Sequence, residues 1–361
     1  MIPHYRPLGF FRFMLASMVV LSHTHILAGM DVSKFLAPYG LGNMAVMSFF
    51  VLSGFVIAEA NFTFYSGRPG AFVINRLLRI WPPFFVALGF SILIHWGVTQ
   101  YAELRFFDDI AYPEKIFSWE NITGNSLYLL VIYGLGKLGI RPDYLFVRYA
   151  WAVAVELIFY YIFAVVVFLS GLSFVTGYLV GKVYWLVVSA GICLLFFMAV
   201  LSHIDIFLYG AWAPYFLLGV SMYFFGGAAK NRLLWLIILG ISLVGINWHA
   251  FGYISRNPAN SAIYSLIILN VLIGILWILS QQESSGKWKM FDRWFGDITY
   301  PLYLMHYAIS IAILSLVGEG YRSPELFVAV YCLCVLVSYG LLFISEPLTR
   351  GIRNRIRGTT L

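Results

Sequence analysis

The chain has 361 residues, 61% of them hydrophobic and 11% charged, with a formal net charge of +7 and a mean hydropathy of +0.85. Soluble domains carry about 45–50% apolar and about 25% charged residues, so this composition excludes an ordinary soluble domain and reads as a polytopic membrane protein. In that class a basic excess reports topology and not nucleic-acid binding, because Lys and Arg collect in the cytoplasmic loops.

Apolar runs long enough to cross about 30 Å of hydrocarbon fall at 8–28, 43–61, 80–99, 149–170, 183–202, 206–225, 232–250, 261–280, 297–317 and 325–345. The first follows a short basic lead, His4 and Arg6, but "HILAGMD" makes a poor small-x-small cleavage site, so it reads as a retained span. Within it, "RFMLASMVVLSH" places Arg12 and His23 eleven residues apart. On a helix they lie within about 20° of one face and about 16 Å apart along the axis, while His25 is turned about 200° away from His23. Ionisable groups inside a span usually face the bundle interior or a wet cavity, with interhelical hydrogen bonding the alternative. For Arg12 the competing reading is an interfacial anchor, and for His23 a hydrogen-bonded packing residue.

The second run holds "FFVLSGFVI", where Ser53 and Gly54 are small enough to let helices approach closely. Ahead of the third, "NRLLRIWPP" makes Arg76 and Arg79 neighbours on a helix. Paired guanidiniums suit a phosphate-bearing ligand, and positive-inside topology is the competing explanation. The 100–125 loop carries Glu103, Asp108, Asp109, Glu114 and Glu120, reads as external, and contains a sequon at Asn121 that matters only in a secretory-pathway host. The run at 126–140, broken by glycines and Lys137, reads as re-entrant or interfacial. In the fourth span "YAWAVAVELIFYY" sets Glu156 beside Trp151, Phe159 and Tyr160. Its partner would be a histidine ring that it orients, or an arginine such as Arg148.

Later, "DITYPLYLMH" puts Tyr303 one turn before His306, either at a cavity or in packing. Cys193, Cys332 and Cys334 sit in apolar runs without metal-ligand spacing and read as packing residues. With no H-E-x-x-H or similar cluster, no metal is expected. Ten spans return the chain to its starting side, and fifteen of the twenty-three Lys and Arg residues fall on that side, so both termini are expected in the cytoplasm. No repeat, linker or soluble appendage is visible. Residues 1–361 are expected to form one all-α membrane domain of about ten transmembrane helices around a central cavity.

These motifs, in this order, resemble the acyltransferase-3 family of integral membrane acyltransferases. Arg12-x10-His23 is similar to the family's arginine–histidine pair, "MSFFVLSGFVI" to its FFxLSGF span, and "NRLLRIWPPF" to its RxxRIxPxY element. "YAWAVAVELIFYY" looks like WxxxxExxFY, "APYFLLGVSMYF" like the FxxGM-type span, "GDITYPLYLMH" like ISYxLYLxH, and "SEPLTRGIRNR" like the terminal E-x-P-xx-R element. The likeness runs over 8–357. It departs at Phe13, where the family often has Gly, and in the lack of the esterase-like domain that some members carry.

The resemblance implies transfer of an acyl group, most often acetyl, from acyl-CoA to a hydroxyl of a saccharide or glycolipid acceptor, in a bacterial inner (cytoplasmic) membrane. It implies His23 as the catalytic histidine with Arg12 as its matched arginine, Arg76 and Arg79 on the CoA phosphates, and Glu156 as the family's glutamate. On this reading His23 is a general base and Glu156 orients it; a transient acyl-histidine is the variant. Ser53, Trp151, Tyr303 and His306 are expected at the substrate or cavity. A transporter or flippase of a lipid-linked saccharide, which also needs intramembrane charge and a cavity, is the rival class.

Overall fold

The computed structural model describes residues 5–65, 67–106, 113–129, 142–176, 210–228, 231–257, 259–317 and 321–358. Among the described residues there are eleven α-helices and no strand. They are α1 (Gly9–Thr24), α2 (Met30–Leu36), α3 (Leu41–Phe64), α4 (Pro69–Thr99), α5 (Trp119–Leu127) and α6 (Ala150–Thr176), then α7 (Ala213–Tyr223), α8 (Arg232–Ile254), α9 (Ala262–Ser280), α10 (Gly286–Val317) and α11 (Pro324–Arg357). Eight helical stretches are long and apolar enough to cross a membrane. The protein is an all-α, multi-pass membrane protein.

Eight of the ten expected runs correspond to these stretches. The run at 183–202 and most of 126–140 lie outside the described residues, and the run at 206–225 is described from Gly210 onward. The outward faces are apolar: Leu233, Ile237, Ile241 and Val244 of α8, and Ile263, Ile267 and Val271 of α9, are exposed at three- to four-residue spacing. Such faces would be a liability in water and are solvated by hydrocarbon.

Helices run further than hydropathy drew them. α4 begins at Pro69 and not near residue 80, so Arg76 and Arg79 lie within the helix and not ahead of it. Proline fits a first helical turn, and arginine lowers hydropathy while remaining a good helix former. α10 likewise starts at Gly286 with an amphipathic stretch before its apolar part.

Close backbone approaches set the helix positions. A Cβ on Gly54 of α3 would strike the Phe216 carbonyl of α7, and one on Gly219 of α7 would strike the Val51 carbonyl of α3. The glycine of "LSGF" is therefore where α3 and α7 touch. At the other side of α1, Gly9 abuts Asp292 of α10. Asp292 accepts hydrogen bonds from the amides of Gly9 and Phe10 (both 2.8 Å) and from the Tyr5 hydroxyl (2.7 Å). Amides at a helix start have no intrahelical acceptor, so a carboxylate borrowed from α10 caps α1 and ties the two helices together. Burial and the bond to Asp292 push the Tyr5 phenol well above its usual range.

The segment between α4 and α6 is held by a side-chain clamp. Asn121 donates to the Ile116 carbonyl (2.7 Å) and accepts from the Tyr144 amide (2.9 Å). Asn125 donates to the Tyr144 carbonyl (2.7 Å) and accepts from the Phe146 amide (3.0 Å). His95 must donate from Nδ1 to the Ser91 carbonyl (2.7 Å), so its Nε2 accepts from the Tyr144 hydroxyl (2.8 Å). Burial pushes the Tyr144 phenol far above its ordinary value. The Asn121 sequon is thus absorbed into a buried clamp, which delivers Arg148 and Tyr149 to the bundle interior.

Candidate active site

Five helices, α1, α3, α4, α6 and α10, enclose a cavity holding about 930 Å³ of empty space, open solvent at its mouth included. Its wall contains six residues singled out in the sequence: Arg12, Ser53, Arg76, Arg79, Glu156 and Tyr303. Three guanidiniums against one carboxylate make the interior net cationic. The rest of the wall is largely apolar, with Val46, Phe49, Phe50, Leu52 and Ile80 among its residues, so charge in it is poorly screened.

Glu156 accepts hydrogen bonds from the Ser53 hydroxyl of α3 and from the Tyr160 hydroxyl one turn along α6. Arg76 is 7% exposed. Its guanidinium lies over the rings of Phe72 (5.3 Å) and Tyr160 (5.4 Å), and its buried Nε has no hydrogen-bond partner among the described residues. An unpaired buried donor of this kind is costly, and a cationic one facing a cavity suits an anion.

One turn beyond Tyr303 the wall passes into an imidazole pair. His306 is fully buried, and its Nδ1 lies 2.8 Å from the Tyr303 carbonyl. A carbonyl only accepts, so His306 carries its proton on Nδ1 and leaves Nε2 as an acceptor. That Nε2 meets His23 Nδ1 at 3.0 Å. His23 therefore holds its proton on Nδ1, and its Nε2 keeps a lone pair. Tyr149 stacks flat on the His23 ring, with centroids 3.5 Å apart and planes inclined by 3°. Tyr303 joins the two regions, since its hydroxyl donates to the Tyr149 carbonyl (2.6 Å) while its ring lines the cavity. The His23 Nε2 faces the start of α3, 3.8 Å from where a Cβ on Gly42 would sit.

The match to a family model now joins this geometry: the acyltransferase domain model covers residues 8–343. The chain belongs to the acyltransferase-3 family. No curated protein and no solved structure matches it. Membership supports membrane acyl transfer in general.

The site departs from expectation in its wiring. The hydrogen bonds of Glu156 go to Ser53 and Tyr160, not to His23, and the His23 ring is bonded instead by His306. Spacing explains this. Tyr149 and Glu156, seven residues apart, share a helical face but are separated by about 10 Å along it, so Tyr149 covers the imidazole while Glu156 stands level with the arginines. Arg148 pairs with the Tyr307 hydroxyl (3.1 Å). Trp151 does not line the cavity; it packs behind it, with ring centroids 6.4 Å from Phe50 and 5.7 Å from Trp212. His306 likewise lies behind the wall, against His23.

Sequence reading named Tyr160 beside Glu156 without giving it a role, and passed over Tyr149 and Tyr300. Tyr160 was accessible, being four residues after Glu156 on the same face, and Tyr300 similarly precedes Tyr303 by three. Tyr149 carried no such signal, because its place on His23 depends on packing between segments distant in sequence.

Proposed function

We propose that this protein is an acyl-CoA-dependent O-acyltransferase that moves an acyl group, acetyl in the simplest case, to a hydroxyl of a saccharide or glycolipid acceptor in a bacterial inner membrane. The observation that carries this reading is a cationic cavity linked through Tyr303 and Tyr149 to the imidazole of His23, which does not itself line the cavity and whose hydrogen-bond chain leaves Nε2 as a basic nitrogen. The CoA phosphates would be held by Arg12, Arg76 and Arg79, entering from the cytoplasmic side, with the pantetheine arm along the apolar wall. Glu156, held by Ser53 and Tyr160, would offset part of the charge of the guanidiniums.

His23 Nε2 would take the proton of the acceptor hydroxyl as its oxygen attacks the thioester carbonyl. Collapse of the tetrahedral intermediate breaks the C–S bond, and the imidazolium returns its proton to the departing thiolate. The products are an ester and free CoA thiol. His306 Nε2, accepting from His23 Nδ1, favours the imidazolium and holds the ring in the required tautomer, the task first expected of Glu156.

The test is transfer of radiolabelled acetyl from acetyl-CoA to a glycan acceptor in membrane vesicles. His23→Ala is expected to abolish label transfer while leaving donor binding intact. Transfer persisting in that variant overturns the base assignment, and absence of transfer from any acyl-CoA with the unsubstituted protein overturns the donor.

A further inference from the structure

A second basic cluster lies outside the cavity lining, within electrostatic range of the cavity's Arg76. Tyr65, between α3 and α4, is 3% exposed. Burial pushes its phenol up, while the guanidiniums of Arg76, Arg357, Arg353 and Arg68 pull it back. These four come from three parts of the chain. The Arg68 guanidinium donates to the Phe64 carbonyl (2.7 Å) and sits 3.9 Å from where a Cβ on Gly358 would be, next to the end of α11. The Arg357 guanidinium lies over the Phe64 ring at 3.6 Å. It is also within electrostatic range of Arg76, Arg79 and Arg293.

Arg353 is anchored by the Asn75 side chain, which donates to its carbonyl (2.9 Å). One of its terminal nitrogens pairs with Glu346 at 2.9 Å, yet its buried Nε has no partner among the described residues. Among the described residues Glu346 pairs with Arg353, and Asp297 stands nearby with Arg293, while no ion pair is seen for Arg68 or Arg357; a further guanidinium, Arg76, is shared with the cavity wall. Like charges gathered at this density repel one another, and the arrangement is relieved when an anion sits among them.

We propose that Arg68, Arg353 and Arg357 form a second anion site outside the cavity, which takes a phosphate monoester at the nucleotide end of the donor. This rests on the acyl-CoA reading. CoA carries two kinds of phosphate: a pyrophosphate, whose two negative charges match the three cavity arginines less Glu156, and a separate phosphate monoester on the ribose. The outer group continues the cavity through Arg76, so one extended ligand reaches both. Anionic lipid headgroups present the same phosphate chemistry, and the experiment separates the two sources.

The experiment compares acetyl-CoA with acetyl-dephospho-CoA, which lacks only the monoester, as donors for the full-length protein in nanodiscs of neutral lipid and of neutral plus anionic lipid. The KM for the dephospho donor is expected to exceed that for acetyl-CoA by about tenfold, the scale of one charge-assisted phosphate contact. Arg357→Ala, on an exposed helix end, and Arg353→Gln are each expected to bring that ratio towards one, and Arg357→Lys to retain most of it. The ratio should be the same in both lipid compositions. Equal KM values for the two donors, or a ratio that survives both substitutions, overturns the second site while leaving the acyl-CoA reading standing. A ratio seen in one lipid composition only assigns the arginines to the headgroups and overturns the donor assignment. Transfer from neither donor removes the acyl-CoA reading itself.

Discussion

Replacing His306 by leucine removes the acceptor on which the Nδ1 proton of His23 rests, 3.0 Å away. The perturbation is narrow. Ser310 and Cys334 bond the His306 backbone carbonyl, which the substitution leaves in place. Leucine is apolar and of similar length, so the fully buried position keeps an uncharged side chain. What is lost is the bond to His23, which strengthens as His23 becomes an imidazolium, together with the bond that His306 Nδ1 donates to the Tyr303 carbonyl (2.8 Å); only the first bears on the rate. Hydrogen bonds to charged groups contribute about 1.5–3 kcal/mol. At about 1.4 kcal/mol per tenfold in rate, that is a fall in kcat of roughly 10- to 150-fold.

Because His306 lies behind the cavity wall, KM for the acyl donor should stay within about twofold, the pattern of an interaction made chiefly in the transition state. His306→Gln supplies the distinguishing arm. Its side-chain oxygen can occupy the place of Nε2 and accept from His23, so part of the rate should return. Steady-state transfer kinetics with purified protein in nanodiscs measure both numbers. A leucine variant with unchanged kcat refutes the hydrogen-bond chain as a positioning device. So does a glutamine variant no better than leucine at equal folded content.

Three further outcomes follow from the geometry. Arg76→Gln should raise the donor KM about tenfold or more, because it deletes a buried cation whose Nε has no hydrogen-bond partner among the described residues; an unchanged KM would remove Arg76 from donor binding. Gly54→Ala sets a methyl group against the Phe216 carbonyl and should cost about 1–3 kcal/mol, read as a lower thermal midpoint in detergent, whereas Gly89→Ala, facing open space, should leave the midpoint in place. Asn121→Ala strands the Tyr144 amide and the Ile116 carbonyl, at about 1–3 kcal/mol for each unsatisfied group. The same burial predicts that Asn121 stays unglycosylated when the protein is made in a secretory-pathway host, which a glycosidase mobility shift would contradict.

Hydropathy and spacing are local quantities, and what depends on them was readable from the chain. The all-α membrane class, eight described spans and the family motifs follow from which residue types recur at helical spacing, whereas the meeting of Arg12, Arg76, Arg79 and Glu156 in one cavity needed three helices to pack together. Helix ends were less legible. The arginines of "NRLLRIWPP" depress hydropathy without interrupting backbone hydrogen bonds, so α4 extends back to Pro69 unannounced. The partner of His23 stood beyond sequence reading altogether. His306 is 283 residues away, and no periodicity within one helix reports which neighbour a side chain will meet. The packing of α1 against α10, joined where Gly9 meets Asp292, brought that pair together. Residue types and spacing thus determined the chemistry available to this protein, and packing of distant segments decided which groups act on one another.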